Sequence, residues 1–258
     1  MALFPTPPNT LKLADGVTLA YHRSPGTRPG VMFLGGFTSD MTGAKATTLE
    51  RWCRGRSQAF VRFDYSGHGA SSGRFADGTI GCWVEEAIAV LDHLTEGPQI
   101  LVGSSMGAWI MLLAALARPE RIAGLLGLAC AVDFTKYLLW ERLDDRLRER
   151  LRRERVISLP SPYGEPYIIT MDLIEEAERH QLLDRPELPI HGPVRLLHGM
   201  GDLDVPWRIS VEVAAKLASP DVRVILVKDG EHTLSREKDL LLLTHTLGEL
   251  LEIQKKQT

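Results

Sequence analysis

Residues Gln99–Glu120 read QILVGSSMGAWIMLLAALARPE, and this stretch decides the fold. Ile100, Leu101 and Val102 form the short apolar run of a buried strand, while Ala108–Ala117 is apolar on every side, as a buried helix is. Between them stands Gly103-Ser104-Ser105-Met106-Gly107. A G-x-S-x-G between a strand and a helix is the form of a nucleophile elbow, a tight turn that lifts the hydroxyl of its central serine above the sheet edge. The flanking glycines are then required, because a Cβ at either place would collide with the neighbouring strand and helix. A turn whose serine merely caps the helix has the same composition. The reading therefore depends on partners elsewhere in the chain.

Outward from the elbow, strands and helices alternate. Upstream, Thr79–Leu94 places Val84, Ile88, Leu91 and Leu94 at helical spacing, and Gly97-Pro98 separates it from the elbow strand. Gly30–Leu34 and Gln58–Phe63 are compact apolar strands with a helix, Lys45–Arg54, between them. Leu11–Arg23 alternates around Asp15-Gly16, as a hairpin of two edge strands does. Downstream, Ile122–Ala129, Val194–His198 and Val222–Val227 supply three more strands. Pro206 opens a helix, and Arg236–Glu252 closes the chain with another. This alternation predicts an α/β protein with a mostly parallel sheet covered on both faces. Right-handed crossovers then gather the strand C-termini, and the chemistry, along one edge.

The alternation breaks between Asp133 and His191. Leu139, Leu143, Leu147 and Leu151 recur every fourth residue, which predicts one helix, and seven arginines fall between Arg142 and Arg155. A proline-rich turn, Leu159–Tyr167, and a helix, Asp172–Leu183, follow. The stretch reads as a lid inserted before the penultimate strand, so that 1–132 and 192–258 form the core and 133–191 the lid. The arginine-rich face reads as a solvated surface laced with i,i+4 pairs. A sharper alternative lets Arg142, Arg146 or Arg150 meet an anionic group of a substrate.

Bulk properties exclude several classes of function. A chain of 258 residues with 44% hydrophobic and 24% charged residues has the make-up of a globular domain with one large core. A net charge of −3 gives no electrostatic reason for a nucleic-acid partner. The longest uncharged apolar run, Ile122–Val132, is too short to span a bilayer. The start, MALFPTPPNT, shows no targeting segment. Three widely spaced cysteines, Cys53, Cys82 and Cys130, suggest reduced thiols and predict a cytoplasmic protein. No cluster has metal-ligand spacing, so neither metal nor cofactor is expected.

A serine hydroxyl is a poor nucleophile at neutral pH. It needs a base within hydrogen-bond reach, and the base needs a third group to orient it. Ser105, Asp202 and His232 each follow an apolar strand, the acid in Gly199-Met200-Gly201-Asp202-Leu203-Asp204 and the base in Asp229-Gly230-Glu231-His232. Asp204 shares the loop of Asp202 and is its rival, with Asp133 a weaker one, and Ser104 sits off the apex of the elbow. His68, within Asp64-Tyr65-Ser66-Gly67-His68-Gly69, lies in a structured turn that Asp64 holds by bonding local N–H groups. His198 reads as a structural bond-maker at a strand end. His22, His93, His180, His191 and His245 fall on an edge strand, on helices or at the lid boundary. Gly35-Gly36, directly after a strand, lets the backbone expose its N–H groups. Phe37 N–H and Met106 N–H are the expected oxyanion donors.

Serine, then aspartate, then histidine, each at a strand end, resembles the α/β-hydrolase superfamily throughout the chain. Within it the chain is similar to a mitochondrial branch of palmitoyl-protein thioesterases and acyl-glucuronide esterases. The segments that carry this likeness are FVRFDYSG (Phe60–Gly67), GPQILVGSS (Gly97–Ser105), ARPE (Ala117–Glu120), EEAERH (Glu175–His180), and VRLLHGM and VPW between Val194 and Trp207. In that pattern the acid is the first aspartate after HGM, which maps onto Asp202. The serine and histidine map onto Ser105 and His232. The resemblance implies hydrolysis of carboxylic esters or thioesters through an acyl-enzyme on Ser105, with small-molecule or acyl-protein substrates, including S-palmitoyl cysteine and acyl glucuronides. Acyl transfer on the same triad, or a low-turnover small-molecule receptor, are the alternatives, in a monomer or small homo-oligomer. Two features depart from the branch. The start lacks a transit peptide, which points to a bacterial relative, and Leu34-Gly35-Gly36-Phe37 stands where the branch has a proline before its glycine. The first lid helix matches poorly, so head-group and chain-length preference stay open.

Overall fold

The computed structural model describes residues 7–161 and 164–255, which form ten strands and seven α-helices. In chain order these are β1 (Asn9–Lys12), β2 (Thr18–Ser24), β3 (Thr27–Leu34), α1 (Ala44–Arg54), β4 (Gln58–Phe63), α2 (Ile80–Leu94), β5 (Gln99–Ser104) and α3 (Met106–Ala117). Then follow β6 (Ile122–Leu128), α4 (Asp145–Glu154), β7 (Val156–Leu159), β8 (Tyr167–Thr170), α5 (Met171–Ala177), β9 (Val194–Gly199), α6 (Arg208–Lys216), β10 (Val222–Val227) and α7 (Glu237–Lys255). Eight strands make one sheet in the order β1-β2-β4-β3-β5-β6-β9-β10. β2 runs antiparallel to both β1 and β4, and every other pairing in the sheet is parallel.

Period-2 alternation sorts the core onto two faces. Val31 and Phe33 of β3 and Ile100 and Val102 of β5 pack with Leu49 of α1 and Leu243 and Leu247 of α7. Met32, Leu34 and Leu101 point the other way, towards Trp83 and Leu91 of α2 and Trp109 and Leu112 of α3. Covered on both sides, β5 is buried at all six residues, which is why it reads as a continuous apolar run. α3 is buried from Met106 to Ala115, without the polar stripe of a surface helix.

The sheet grows outward in two directions. From β3 the chain steps to β4 on one side, then crosses back so that β5, β6, β9 and β10 build the other side. The reversal falls between β3 and β5, where an α/β sheet leaves a crevice beyond its strand ends. The loops that leave β3 and β5 are those of Gly35–Phe37 and Ser105.

The stretch between β6 and β9 differs from its sequence reading in three ways. The leucine repeat is not one helix. A π-helical turn (Thr135–Leu139) and a 3-10 turn (Trp140–Arg142) come first, Leu143 is extended, and α4 starts afresh. The break has a local cause, since the Asp144 carboxylate caps α4 by accepting from Leu147 N–H at 2.7 Å. Second, β7 and β8 pair antiparallel, Val156 opposite Thr170 and Leu159 opposite Tyr167, around the proline-rich turn. Of that turn, Pro162 and Tyr163 lie outside the described residues. Third, the helix expected to reach Leu183 ends as α5 and a 3-10 turn, Glu178–His180. The N–H groups of Leu182 and Leu183 turn instead to the buried carboxylate of Asp133, at 3.0 and 2.7 Å. A satellite core of Leu143, Leu151, Ile157, Ile169, Met171 and Ile174 holds the stretch together, with Phe37 packed against it.

Candidate active site

Ser105 occupies the turn between β5 and α3 with φ 55° and ψ −119°, a conformation that costs a non-glycine residue on the order of 1–3 kcal/mol. The surroundings enforce it. Ser105 N–H donates to Leu128 O at 2.8 Å, and Ser105 O accepts from Ala108 N–H at 2.9 Å. Tight packing explains both flanking glycines. A Cβ on Gly103 would stand 2.4 Å from Gly107 O, and one on Gly107 would stand 2.2 Å from Leu34 O.

Two partners reach this serine from distant loops. Ser105 Oγ lies 3.0 Å from His232 Nε2, and His232 Nδ1 lies 2.7 Å from Asp202 Oδ2. An Nδ1–H directed at the carboxylate leaves Nε2 to accept from the serine hydroxyl, the tautomer that a general base needs. Asp202 keeps its side chain wholly out of solvent. Its Oδ1 accepts from the N–H groups of Asp204 and Val205 at 2.9 and 2.8 Å, and its Oδ2 also faces His198 Nε2 at 3.2 Å. Burial pushes this carboxyl up, but the bonds from His198 and His232 outweigh burial and hold it well below the usual carboxylate range.

The rivals resolve by position. Asp204 offers its main-chain N–H to Asp202, and His232 turns to Asp202. Asp133 is committed to Leu182 and Leu183. His68 is buried among Tyr65, Phe75 and Trp83 with Nδ1 3.0 Å from Ser66 O, and it lines no part of the cavity described below. Asp64 holds its turn as expected by accepting from Ala70 N–H at 2.8 Å, and it also reaches Met41 N–H at 2.6 Å. His198, fully buried, bonds Val205 O and Ser210 Oγ as well as Asp202, so it braces the acid loop. Its place four residues before Asp202 was the only sequence signal for that contact. Ligand atoms of Asp202, Asp204 and His232 come within 4.8 Å of one another, yet two N–H groups and two imidazoles already occupy the Asp202 oxygens, which suits a triad acid better than a cation ligand.

The serine and histidine open into a cavity of about 480 Å³ lined also by the loop from Gly36 to Ser39, by Lys45, and by Glu165, Pro166 and Tyr167. The Gly36 loop passes close over the serine, since a Cβ on Gly36 would stand 3.3 Å from Ser105 Cβ. Phe37 and Ser105 line the same space, and Met106 begins α3, where the first N–H groups have no intrahelical acceptor. The Phe37 ring packs against Phe75, Phe134 and Tyr167 with centroids 4.9, 5.4 and 5.7 Å away. Arg142, Arg146 and Arg150 do not line the cavity. Arg150 pairs with Glu154 one helical turn on, as a solvated face predicts. Lys45 is a cation in the cavity wall that sequence reasoning missed. Burial pushes its ammonium down to about 8, against the pull of the Asp239 carboxylate.

This fold and this arrangement define an α/β-hydrolase. Residues 31–172 match the family model described as serine aminopeptidase, S33. Over 244 residues the chain is 42% identical to the mitochondrial palmitoyl-protein thioesterase ABHD10 of Homo sapiens, an alignment that covers 94% of this chain and 79% of the relative. The mouse protein of that description is 44% identical over 238 residues, 91% of this chain and 79% of the relative. Among solved structures, mouse alpha/beta hydrolase domain-containing protein 10 superposes with a TM-score of 0.88 at 42% identity, covering 96% of this chain and 99% of that one. A putative hydrolase from Agrobacterium vitis S4 gives 0.89 at 36% identity, covering 95% and 99%. The chain is a hydrolase and belongs to the ABHD10 thioesterase family.

These relatives correct one expectation. All five mammalian relatives are described as mitochondrial, which overturns the cytoplasmic placement. Separated, reduced cysteines and a small net charge suit any reducing compartment and do not distinguish one from another.

Proposed function

We propose that the chain is a serine hydrolase that cleaves acyl esters and thioesters through an acyl-enzyme on Ser105. The observation that carries this reading is the unbroken chain Ser105 Oγ–His232 Nε2 at 3.0 Å and His232 Nδ1–Asp202 Oδ2 at 2.7 Å. His232 takes the hydroxyl proton as Ser105 Oγ attacks the substrate carbonyl carbon, and Asp202 stabilises the imidazolium that forms. The N–H groups of Phe37 and Met106 receive the oxyanion, each worth about 3 kcal/mol of barrier. His232 then passes the proton to the departing alcohol or thiol. Water, activated by the same imidazole, releases the acid and restores Ser105.

The 133–191 stretch acts as a lid, separate from the core of 1–132 and 192–258, and sets selectivity. It lines the cavity with Pro166 and Tyr167 beside the carboxylate of Glu165. The description of the relatives as palmitoyl-protein thioesterases favours an S-acyl cysteine as substrate. The test is labelling with a fluorophosphonate, followed by peptide mapping, beside a panel of p-nitrophenyl esters and acyl-CoA thioesters of increasing chain length. The label is expected on Ser105, and both labelling and hydrolysis are expected to vanish in Ser105→Ala. A label that survives this substitution removes Ser105 as the nucleophile.

A further inference from the structure

Lys45 stands where a lysine is costly. It is the second residue of α1, at the helix end whose dipole disfavours a cation. Lys45 is half-buried at the cavity wall, which adds to that cost. No acid on its own helix is paired with it. What it does contact is the main chain of the loop that carries His232. Lys45 Nζ donates to Thr233 O, across 188 residues of sequence, and Ser235 Oγ–H donates to the same oxygen at 3.0 Å.

The rest of that loop is fastened at its far end. Arg236 binds Asp239 through Nε and Nη2 at 2.7 and 2.9 Å and reaches Asp229 O at 2.6 Å. At the near end, the His232 ring is held by Asp202 and Ser105, and one of those two bonds must break and re-form in each turnover. Before the ring, Glu231 O accepts from Leu234 N–H at 3.3 Å and Gly230 O from Gly201 N–H at 2.9 Å; directly after it, Thr233 O is the carbonyl that Lys45 holds.

We infer that Lys45 is a positioning residue for the general base: by holding the Thr233 carbonyl it fixes the backbone after His232, and so the angle at which the imidazole meets Ser105 Oγ. This rests on the reading of His232 as the base. A receptor for an anionic group of the substrate is the competing role, because an ammonium has two further donors. The bond to Thr233 O favours positioning.

The charged groups around Lys45 are Asp239 on α7 with its partner Arg236, Asp40 in the loop before α1, and His232 and Glu165 in the cavity wall. Asp239 is tied up by Arg236, so the lysine is the group that discharges on the alkaline side. As pH rises through about 8 it loses its charge and the charge-assisted bond weakens. Wild-type kcat should therefore decline above that pH.

The experiment measures kcat and KM against pH for Lys45→Met, Lys45→Gln and Lys45→Arg, with neutral and carboxylate-bearing esters, and runs Ser105→Ala beside them. Expected is a fall in kcat of about tenfold in the Met and Gln variants, the size of one lost hydrogen bond to a charged group, with KM unchanged and the alkaline decline absent. Lys45→Arg, always charged, should keep most of kcat and also lose the alkaline decline. Unchanged kcat with a KM raised only for carboxylate-bearing esters overturns positioning in favour of anion binding. Unchanged kcat and an unchanged alkaline limb overturn it outright. Melting curves guard against a general loss of structure, and if Lys45→Met does not fold, Gln and Arg decide. Hydrolysis that survives Ser105→Ala breaks the reading of the site itself, whereas hydrolysis that needs Ser105 but ignores Lys45 breaks only this inference.

Discussion

The elbow and the stretch from 133 to 191 solve the same problem, placing side chains over the ends of a sheet, by opposite means. Around Ser105 the backbone is overdetermined. β5 is buried on both faces, α3 is buried all round, and both flanking glycines have main-chain atoms within 2.4 Å of where a Cβ would sit. The later stretch is tied down mainly by side chains: a satellite core, a four-residue ladder, the Asp133 carboxylate, Leu173, Ala177, Leu182 and Leu188 in the main core, and bonds from Trp109 Nε1–H to His180 O and from Gly81 N–H to Glu176. Ser105 sits where main-chain atoms leave no room, while Pro166 and Tyr167 of the cavity lining belong to a stretch held mainly by side-chain packing. The difference is one of means: main-chain crowding fixes the first region and side-chain packing the second, and Phe37 touches both.

Five substitutions break or sharpen that contrast. Asp202→Asn should lower kcat by about 10⁴-fold, because an amide favours the wrong imidazole tautomer, while Asp204→Asn stays within about threefold; steady-state kinetics on a short ester separates them. Gly107→Ala drives a methyl into Leu34 O and Gly35 O, at 2.2 and 2.4 Å. Neither main-chain atom yields cheaply, so a loss of about 3 kcal/mol in denaturant unfolding is expected. Asp133→Asn turns an amide N–H towards the N–H groups of Leu182 or Leu183, and should cost about 2 kcal/mol while leaving fluorophosphonate labelling of Ser105 intact. Arg150→Ala removes an exposed pair with Glu154, and a change within about 0.5 kcal/mol and equal kinetics on charged and neutral esters are expected.

The legible part of the sequence was the part where local and global demands agree. An all-apolar helix after an apolar strand has one destination, and Asp202 and His232 stood at strand ends that periodicity alone could find. The β7–β8 hairpin was not legible because each strand has four residues, VISL and YIIT, and their pairing depends on a turn between them rather than on either run. The leucine repeat misled for a related reason. Its residues do pack together, but Asp144 offers the backbone a cap and splits the helix that the spacing predicts. Lys45 left no signal at all. In sequence it is an ordinary helix lysine, and only a loop 188 residues away gives it a partner.

The ring of Phe37 has one more consequence. It stands between Phe75 and Trp83 of the core and Tyr167 of β8, so the residue proposed to offer its N–H to the oxyanion is clamped by both halves of the molecule. A substrate that shifts the hairpin presses on this ring, and through it on the residue that carries the donor. Fit and rate would then be geared to each other through one aromatic side chain, so that a poorly seated acyl group is also a poorly polarised one.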